Sequence, residues 1–212
     1  MPPAINFTQD TILNQAIEIV RKEGLQALTA RKIAQNLGCS TQPVYSAFGS
    51  MQELQEAVLK KAKAYAISYL LQSSPDEEPF LAIGLQYFRF AQEEQELFKV
   101  LFLSPRADEE DEDDDIFTPP LLVERMKGDQ HLQNLDEATL KRLLSNMWIY
   151  THGLATLSQA STHTYSEEFA RERLLQMGEV LITWEQFQHH GINMHELGLK
   201  YIQESAKNKD QE

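Results

Sequence analysis

The stretch that most constrains this chain is Thr29 to Phe48, TARKIAQNLGCSTQPVYSAF. Thr29 can act as an N-cap, its side-chain oxygen taking an orphan amide of a helix that carries Ile33, Ala34 and Leu37 on one face. Gly38 supplies the left-handed backbone that ends such a helix, and Ser40 or Thr41 recaps the next one. Two short helices joined by a glycine-containing turn of three to four residues make the helix-turn-helix pattern. In the second helix Val44, Ala47 and Phe48 are spaced to bury together, which leaves Thr41, Gln42, Tyr45 and Ser46 on the opposite side. That side carries amide, hydroxyl and phenol groups and no charge. Such groups read base edges or hold phosphate oxygens, as a helix in the DNA major groove must. Arg31 and Lys32, at the start of the preceding helix, are placed near the DNA backbone or a guanine edge.

These residues resemble the TetR-like family of transcriptional repressors. The likeness lies in Leu28-Thr29-x-Arg31-x-Ile33-Ala34-x-x-Leu37-Gly38-Cys39-Ser40, then Val44-Tyr45-x-x-Phe48 and Ser50-x-x-Glu53-Leu54. The resemblance implies that Tyr45 touches phosphate, that Thr41 and Gln42 contact bases or the groove, and that Arg31 is a second groove candidate. With their neighbours, the expected DNA-facing set is Thr29, Arg31, Ser40, Thr41, Gln42, Tyr45 and Ser46. One position departs from the family pattern, because Met51 stands where a phosphate-binding lysine is usual. The alternative is a helix pair packed inside an unrelated bundle.

Charge divides the chain in a way that suits this reading. The 212 residues carry a formal net charge of −13. Residues 1 to 65 hold seven Lys or Arg against five acids, a balance of +2, and the remainder holds 12 bases against 27 acids, a balance of −15. One end is thus directed toward DNA and the other away from it. A hydrophobic content of 42% marks a globular chain. A single cysteine excludes an internal disulfide and fits a reducing cytoplasm. Cys39 falls in the turn, where a small apolar residue packs between helices. No signal-like or membrane-spanning run is present, so the expectation is a cytoplasmic protein.

Met1 to Phe7 reads as a short lead. From Thr8, Ile12, Ala16, Ile19 and Val20 repeat at helical spacing until Gly24 closes the helix. Ser50 to Glu53 forms a capping box, and the helix it opens carries Leu54, Val58, Ala62, Tyr65 and Tyr69 to about Gln72. The loop Ser73 to Pro79 marks the domain boundary. The expected organisation is all-α: a DNA-binding domain at 8–54, joined through a helix to about 72, and a helical regulatory and dimerisation domain at 79–205. Helices are expected over Phe80 to Gln92 and Glu94 to Leu103, from Pro119 and Pro120 toward Lys127, and from an Asp136 cap to about Ala160. The eight consecutive acids from Asp108 to Asp115 should be extended and solvated. They lack the glycine and the terminal glutamate of a calcium loop.

Trp148-x-x-x-His152-Gly153-Leu154-Ala155-x-Leu157 resembles the Trp-His-Gly motif of one TetR-like C-terminal ligand-binding domain. Phe80-x-Ala82-x-Gly84-x-x-Tyr87-x-x-Phe90-Ala91, with Leu97-Phe98 behind it, fits the same domain. The expected effector pocket is lined by Tyr87, Phe90, Phe98, Trp148 and His152. Trp148 and His152 share a helix face. His152 reads equally as a pocket handle and as a hydrogen-bonded core histidine, and Gly153 as a place of close helix approach. Thr164-x-x-Glu167 reads as a further capping box, opening a helix with Leu174, Met177, Gly178, Leu181 and Trp184 on one face. In the family the last two long helices pair with their copies as a four-helix bundle, so a homodimer is implied, with Leu174, Met177, Leu181 and Trp184 as its contacts. His189, His190 and His195 are read as surface groups around a helix end. Ile192 to Tyr201 adds an amphipathic helix, and Lys207 to Glu212 should fray.

No phosphate loop, dinucleotide turn, nucleophile elbow, zinc motif or Glu-x-x-His pair occurs. Neither catalysis nor a metal or other cofactor is expected. The functional expectation is a repressor that binds a palindromic operator as a homodimer and is released by a small apolar effector. The alternative is a dimeric ligand- or partner-binding module with weak or lost DNA binding, for which Met51 and the modest N-terminal charge are the motive.

Overall fold

The computed structural model describes residues 7–72, 77–104, 119–160, 165–193 and 195–201. All described secondary structure is helical. Helix α1 spans Gln9–Glu23, and a single 3-10 turn at Leu25–Ala27 leads into α2, Ala30–Leu37. Helices α3, Gln42–Phe48, and α4, Met51–Leu70, complete the N-terminal unit. The remainder comprises α5, Pro79–Glu93; α6, Gln95–Phe98; α7, Pro120–Met126; α8, Glu137–Ala160; α9, Glu167–His189; and α10 at 195–201. None is long and apolar enough to cross a membrane.

The caps explain most of these boundaries. The Thr8 hydroxyl accepts from the Thr11 amide at 3.2 Å, Thr29 from Lys32 at 3.2 Å and Ser50 from Glu53 at 3.1 Å. Each such cap contributes roughly 1 kcal/mol. Asp136 accepts from the Thr139 amide at 2.7 Å and so starts α8. Gly38 ends α2 in the left-handed region at φ +67, which a side chain would disfavour. The expected recapping of α3 does not take that form. Thr41 stands at the cap position with helical backbone angles and makes no side-chain cap bond. Pro43 in the first turn starts α3 instead, because its ring presets φ and it has no amide to satisfy.

Three further expectations are corrected or moved. The segment expected as one helix from Glu94 to Leu103 is a single turn of α6 followed by a π-helical turn at Lys99–Leu103. The cap of α9 is Ser166, which accepts from Phe169 at 3.1 Å, and Glu167 instead pairs with Arg89 of α5 at 2.8 Å. Thr164 lies outside the described residues, as do residues 1–6 of the lead, 73–76 of the boundary loop, the acidic run 108–115 and the tail 207–212. A Cβ added at Gly153 would meet no atom within 4 Å, so no described helix of the protomer approaches it. Close approach occurs at Gly84, where a Cβ would lie 3.1 Å from Leu174, and at Gly178, 3.5 Å from Met147.

Helices α1, α2 and α3 pack on one another and on the start of α4 around Ile12, Ile19, Ile33, Val44, Phe48 and Leu54. Helix α5 is the axis of the rest. It is buried on nearly every side, from Phe80 to Ala91, because it packs against α4, α6, α7, α8 and α9 at once. The head touches this second unit through more than α4. Helix α1 also packs on α6, so the reading pair is braced from both flanks.

Candidate nucleic-acid interface and regulatory site

The reading head divides as its spacing requires. Val44 and Phe48 are buried and Ala47 is half-buried, which locks α3 to the head. Thr29, Arg31, Ser40, Thr41, Gln42, Tyr45 and Ser46 are all exposed. Tyr45, at 49% exposure, is the large side chain of this surface. The structure therefore presents the whole expected DNA-facing set to solvent on and beside one helix. Lys32 differs from its neighbour Arg31, because its ammonium is held by Glu23 of α1. Met51 is half-buried and packs on the core, so the position expected for a phosphate-binding lysine serves packing here.

Of the head's other cations, Arg21 points the opposite way. Its guanidinium donates from Nε to Glu94 Oε2 at 2.6 Å and from Nη2 to Glu94 Oε1, and lies over the Tyr65 ring at 5.5 Å. The Glu94 side chain is only 4% exposed, and it also accepts from the Tyr65 hydroxyl at 2.9 Å. The hydrogen bonds to Glu94 raise the Arg21 pKa further. Burial, then the bond to Glu94, likewise raises that of Tyr65. One turn on, Tyr69 donates to Glu93 at 2.6 Å. This latch joins α1 to the α5–α6 corner. Sequence reasoning missed it because Arg21 and Glu94 are 73 residues apart and nothing local pairs them.

The five residues expected to line an effector pocket fall in one aromatic cluster. His152 stacks on Trp148 at 4.7 Å and 9° and on Phe98 at 5.7 Å and 27°. Its Nδ1 lies 2.9 Å from the Tyr87 hydroxyl, and Tyr87 meets the edges of Phe98 and Trp148. Burial holds His152 below the ordinary histidine pKa of 6.5 and pushes Tyr87 upward, so both are neutral near pH 7. Phe90 joins through Phe102, which contacts Tyr87 at 5.2 Å and Phe98 at 5.3 Å. Phe102 was absent from the expected set, although its place four residues after Phe98 was the available signal. From Phe90 the contacts continue to Tyr69 at 5.4 Å and Tyr65 at 6.2 Å, hence to the Arg21 latch. The rings fill their own space. The void beside Tyr87, Phe102 and Trp148 is about 30 Å³, on the scale of one or two waters.

The stripe expected for dimerisation divides between two directions. Leu174 is buried against Gly84 and belongs to the protomer core, and Gly178 is buried against Met147. Met177 and Leu181 are half-buried, while Trp184 is 47% exposed and its neighbour Val180 58%. Helix α8, packed alongside, exposes Ile149 and Leu157.

Residues 12–58 match the family model described as bacterial regulatory proteins, tetR family. No curated protein matches the chain by sequence. Among solved structures, the chain is similar to a tetR-family transcriptional regulator from Streptomyces coelicolor, at 17% identity and a TM-score of 0.55. That alignment covers 93% of this chain and 97% of the other, and it shows a shared fold. A second Streptomyces coelicolor structure, the Tetr-family regulator SCO0253, aligns at 19% identity and a TM-score of 0.45 over 85% of this chain and 98% of its own.

Proposed function

We propose that the chain is a TetR-family transcriptional regulator that meets DNA through its N-terminal helix-turn-helix, as a homodimeric repressor of a palindromic operator released by a small apolar effector. The observation that carries this reading is the uncharged polar surface of α3, exposed beside Arg31 and backed by a buried apolar face. Residues 8–54 form the reading domain, α4 carries it, and 79–205 form the regulatory and dimerisation domain. Tyr45 holds a phosphate and sets register, and Thr41, Gln42 and Ser46 read the groove, with Thr29, Arg31 and Ser40 at its margin. In a dimer two such helices meet major-groove faces one helical turn apart or a multiple of it.

The effector enters the aromatic cluster of Tyr87, Phe90, Phe98, Trp148 and His152. Space for it comes from displacing Phe102 with the π-helical turn that bears it, since π-turns in helices frequently mark functional sites. Because Phe90 also touches Tyr65 and Tyr69, such a shift reaches α4 and the Arg21–Glu94 latch. Release requires only that the effector bind unequally to the two head positions. The chemistry of the cluster suits a flat apolar molecule with one hydrogen-bonding group for the Tyr87–His152 pair.

The test is selection of random duplex DNA against the purified protein at stated salt, with sequencing of what is retained. A palindromic consensus is the expected result. Its affinity should fall with salt at a log–log slope of only about −2 to −4, since few cations are spared from intramolecular pairs. A folded dimer that retains no sequence would favour the ligand- or partner-binding module, the reading that the inward packing of Met51 supports.

A further inference from the structure

A cavity large enough for a small molecule lies away from the aromatic cluster. It is a cleft of about 350 Å³ between the first turns of α5, the loop after α7 and one flank of α9. Its floor lies where Leu174 and Met147 come close to two glycines, one on α5 and one on α9. Gly84 of α5 and Gly178 of α9 leave Met147, Leu174 and Ile182 to form the apolar wall. A volume of this size is within the range that holds small organic ligands.

The rim has one sign. Glu78, Asp129 and Glu179 line it together with His131, and among the described residues no lysine or arginine does. Asp129 is 2% exposed, and both its oxygens are taken by neutral donors, the Phe80 amide at 3.1 Å and the His131 amide at 2.9 Å. The Asp129 carboxyl is thus held beneath the cleft by two backbone amides, with no cation paired to it among the described residues. Glu78 accepts from the Gln130 side-chain amide, again a neutral donor, and Glu179 stands exposed at the mouth. An apolar slot bordered by carboxylates without cationic partners among the described residues favours a positive headgroup on a greasy body.

The cleft also stays open in the proposed dimer. Leu175, Glu179 and Gln186 face it. At 100° per residue they lie about half a turn of helix away from Met177, Val180 and Trp184. We propose that this cleft is a binding site for an amphipathic cation, an amine carried on an apolar chain or ring, separate from the aromatic cluster.

Isothermal titration of the full-length protein with octylammonium, octanol and octanoate, each below its aggregation threshold, tests this directly. The three share one apolar body and differ in charge. Saturable binding of one octylammonium per protomer is expected, at least fivefold tighter than octanol, with octanoate weakest. Glu78→Gln with Glu179→Gln should bring octylammonium to the octanol level and leave octanol unchanged. Gly178→Leu should fill the floor and abolish all three, with Thr183→Trp on the exposed rim as a second blocking variant should Gly178→Leu misfold. Equal affinity for octylammonium and octanol in the unaltered protein would overturn the proposal, as would binding indifferent to the rim pair and to a folded blocking variant.

Discussion

Two side chains decide whether the proposed chemistry is right at the scale of single residues. Tyr45 is exposed on α3 while its neighbours Val44 and Phe48 hold the helix in place. Removing its ring should therefore leave the fold intact. Tyr45→Ala should lower affinity for specific and random duplexes alike by roughly 1 kcal/mol, about fivefold, the value of one hydrogen bond. Fluorescence anisotropy at two salt concentrations measures this, and unchanged affinity at both would strike Tyr45 from the DNA contacts. His152 makes a prediction in pH. Burial keeps its folded pKa below 6.5, whereas the unfolded chain takes up the proton near 6.5. The unfolded state thus binds more protons between those two values. Stability from this group is complete above about pH 6.5 and is lost as pH falls toward the folded pKa. His152→Asn should narrow the difference in urea midpoint between pH 7.5 and pH 5.5, and an equal acid loss in both proteins would assign that loss to other groups. The sequence made the types of these residues legible but not their partners. Trp148 and His152 were readable as neighbours four apart on a helix, whereas Tyr87, 65 residues away, was grouped with them only through the family resemblance and its hydrogen bond to the imidazole was not foreseen.

At the scale of elements the latch between α1 and the α5–α6 corner is the feature with energetic consequence. Arg21→Met would leave the buried Glu94 carboxylate with the Tyr65 hydroxyl as its remaining side-chain donor. The cost should be about 1–3 kcal/mol, below that of a fully buried pair because the Arg21 side chain is 43% exposed and screened by water. A double-mutant cycle with Glu94→Gln, followed by urea unfolding, should give a coupling of ~1 kcal/mol or more. A coupling near zero would mean that solvent already supplies what Arg21 provides. Local signals served well where one residue fixes a boundary. Thr29, Ser50 and Asp136 all cap the helices they were expected to cap. They failed at α3, where Pro43 starts the helix without a Thr41 bond, and after Phe98, where the helix widens into a π-turn. The second failure has an origin that near neighbours do not carry. A cap is a contact between near neighbours, whereas a π-turn is settled by what the rings of Phe98 and Phe102 pack against from α5 and α8.

At the scale of the whole molecule, the spacing of two reading heads in the proposed dimer depends on what joins the two protomers. Helices α8 and α9 lie side by side, and each exposes large apolar groups: Ile149 and Leu157 on one, Val180 and Trp184 on the other, between 47% and 62% exposed. Gly153, with nothing near its absent side chain, adds a place where another helix can come close. Stable association needs about 800 Å² from each partner, and two helices of 24 and 23 residues offer that length. Leu174 is excluded from the contact by its own packing on Gly84, whereas Met177, Leu181 and Trp184 remain at or near the surface. Trp184→Glu would place a charge where the proposed contact buries a ring, with no effect on the protomer core. The unaltered protein should sediment as a dimer and the variant as a monomer at the same concentration. Operator affinity should fall by more than tenfold in the variant, because each head then binds without its tether, while its residual binding to a single half-site matches that of the unaltered head. If the variant stays dimeric and keeps full affinity for the palindrome, the protomers must meet through another surface, and the head spacing would have to be derived from that surface instead.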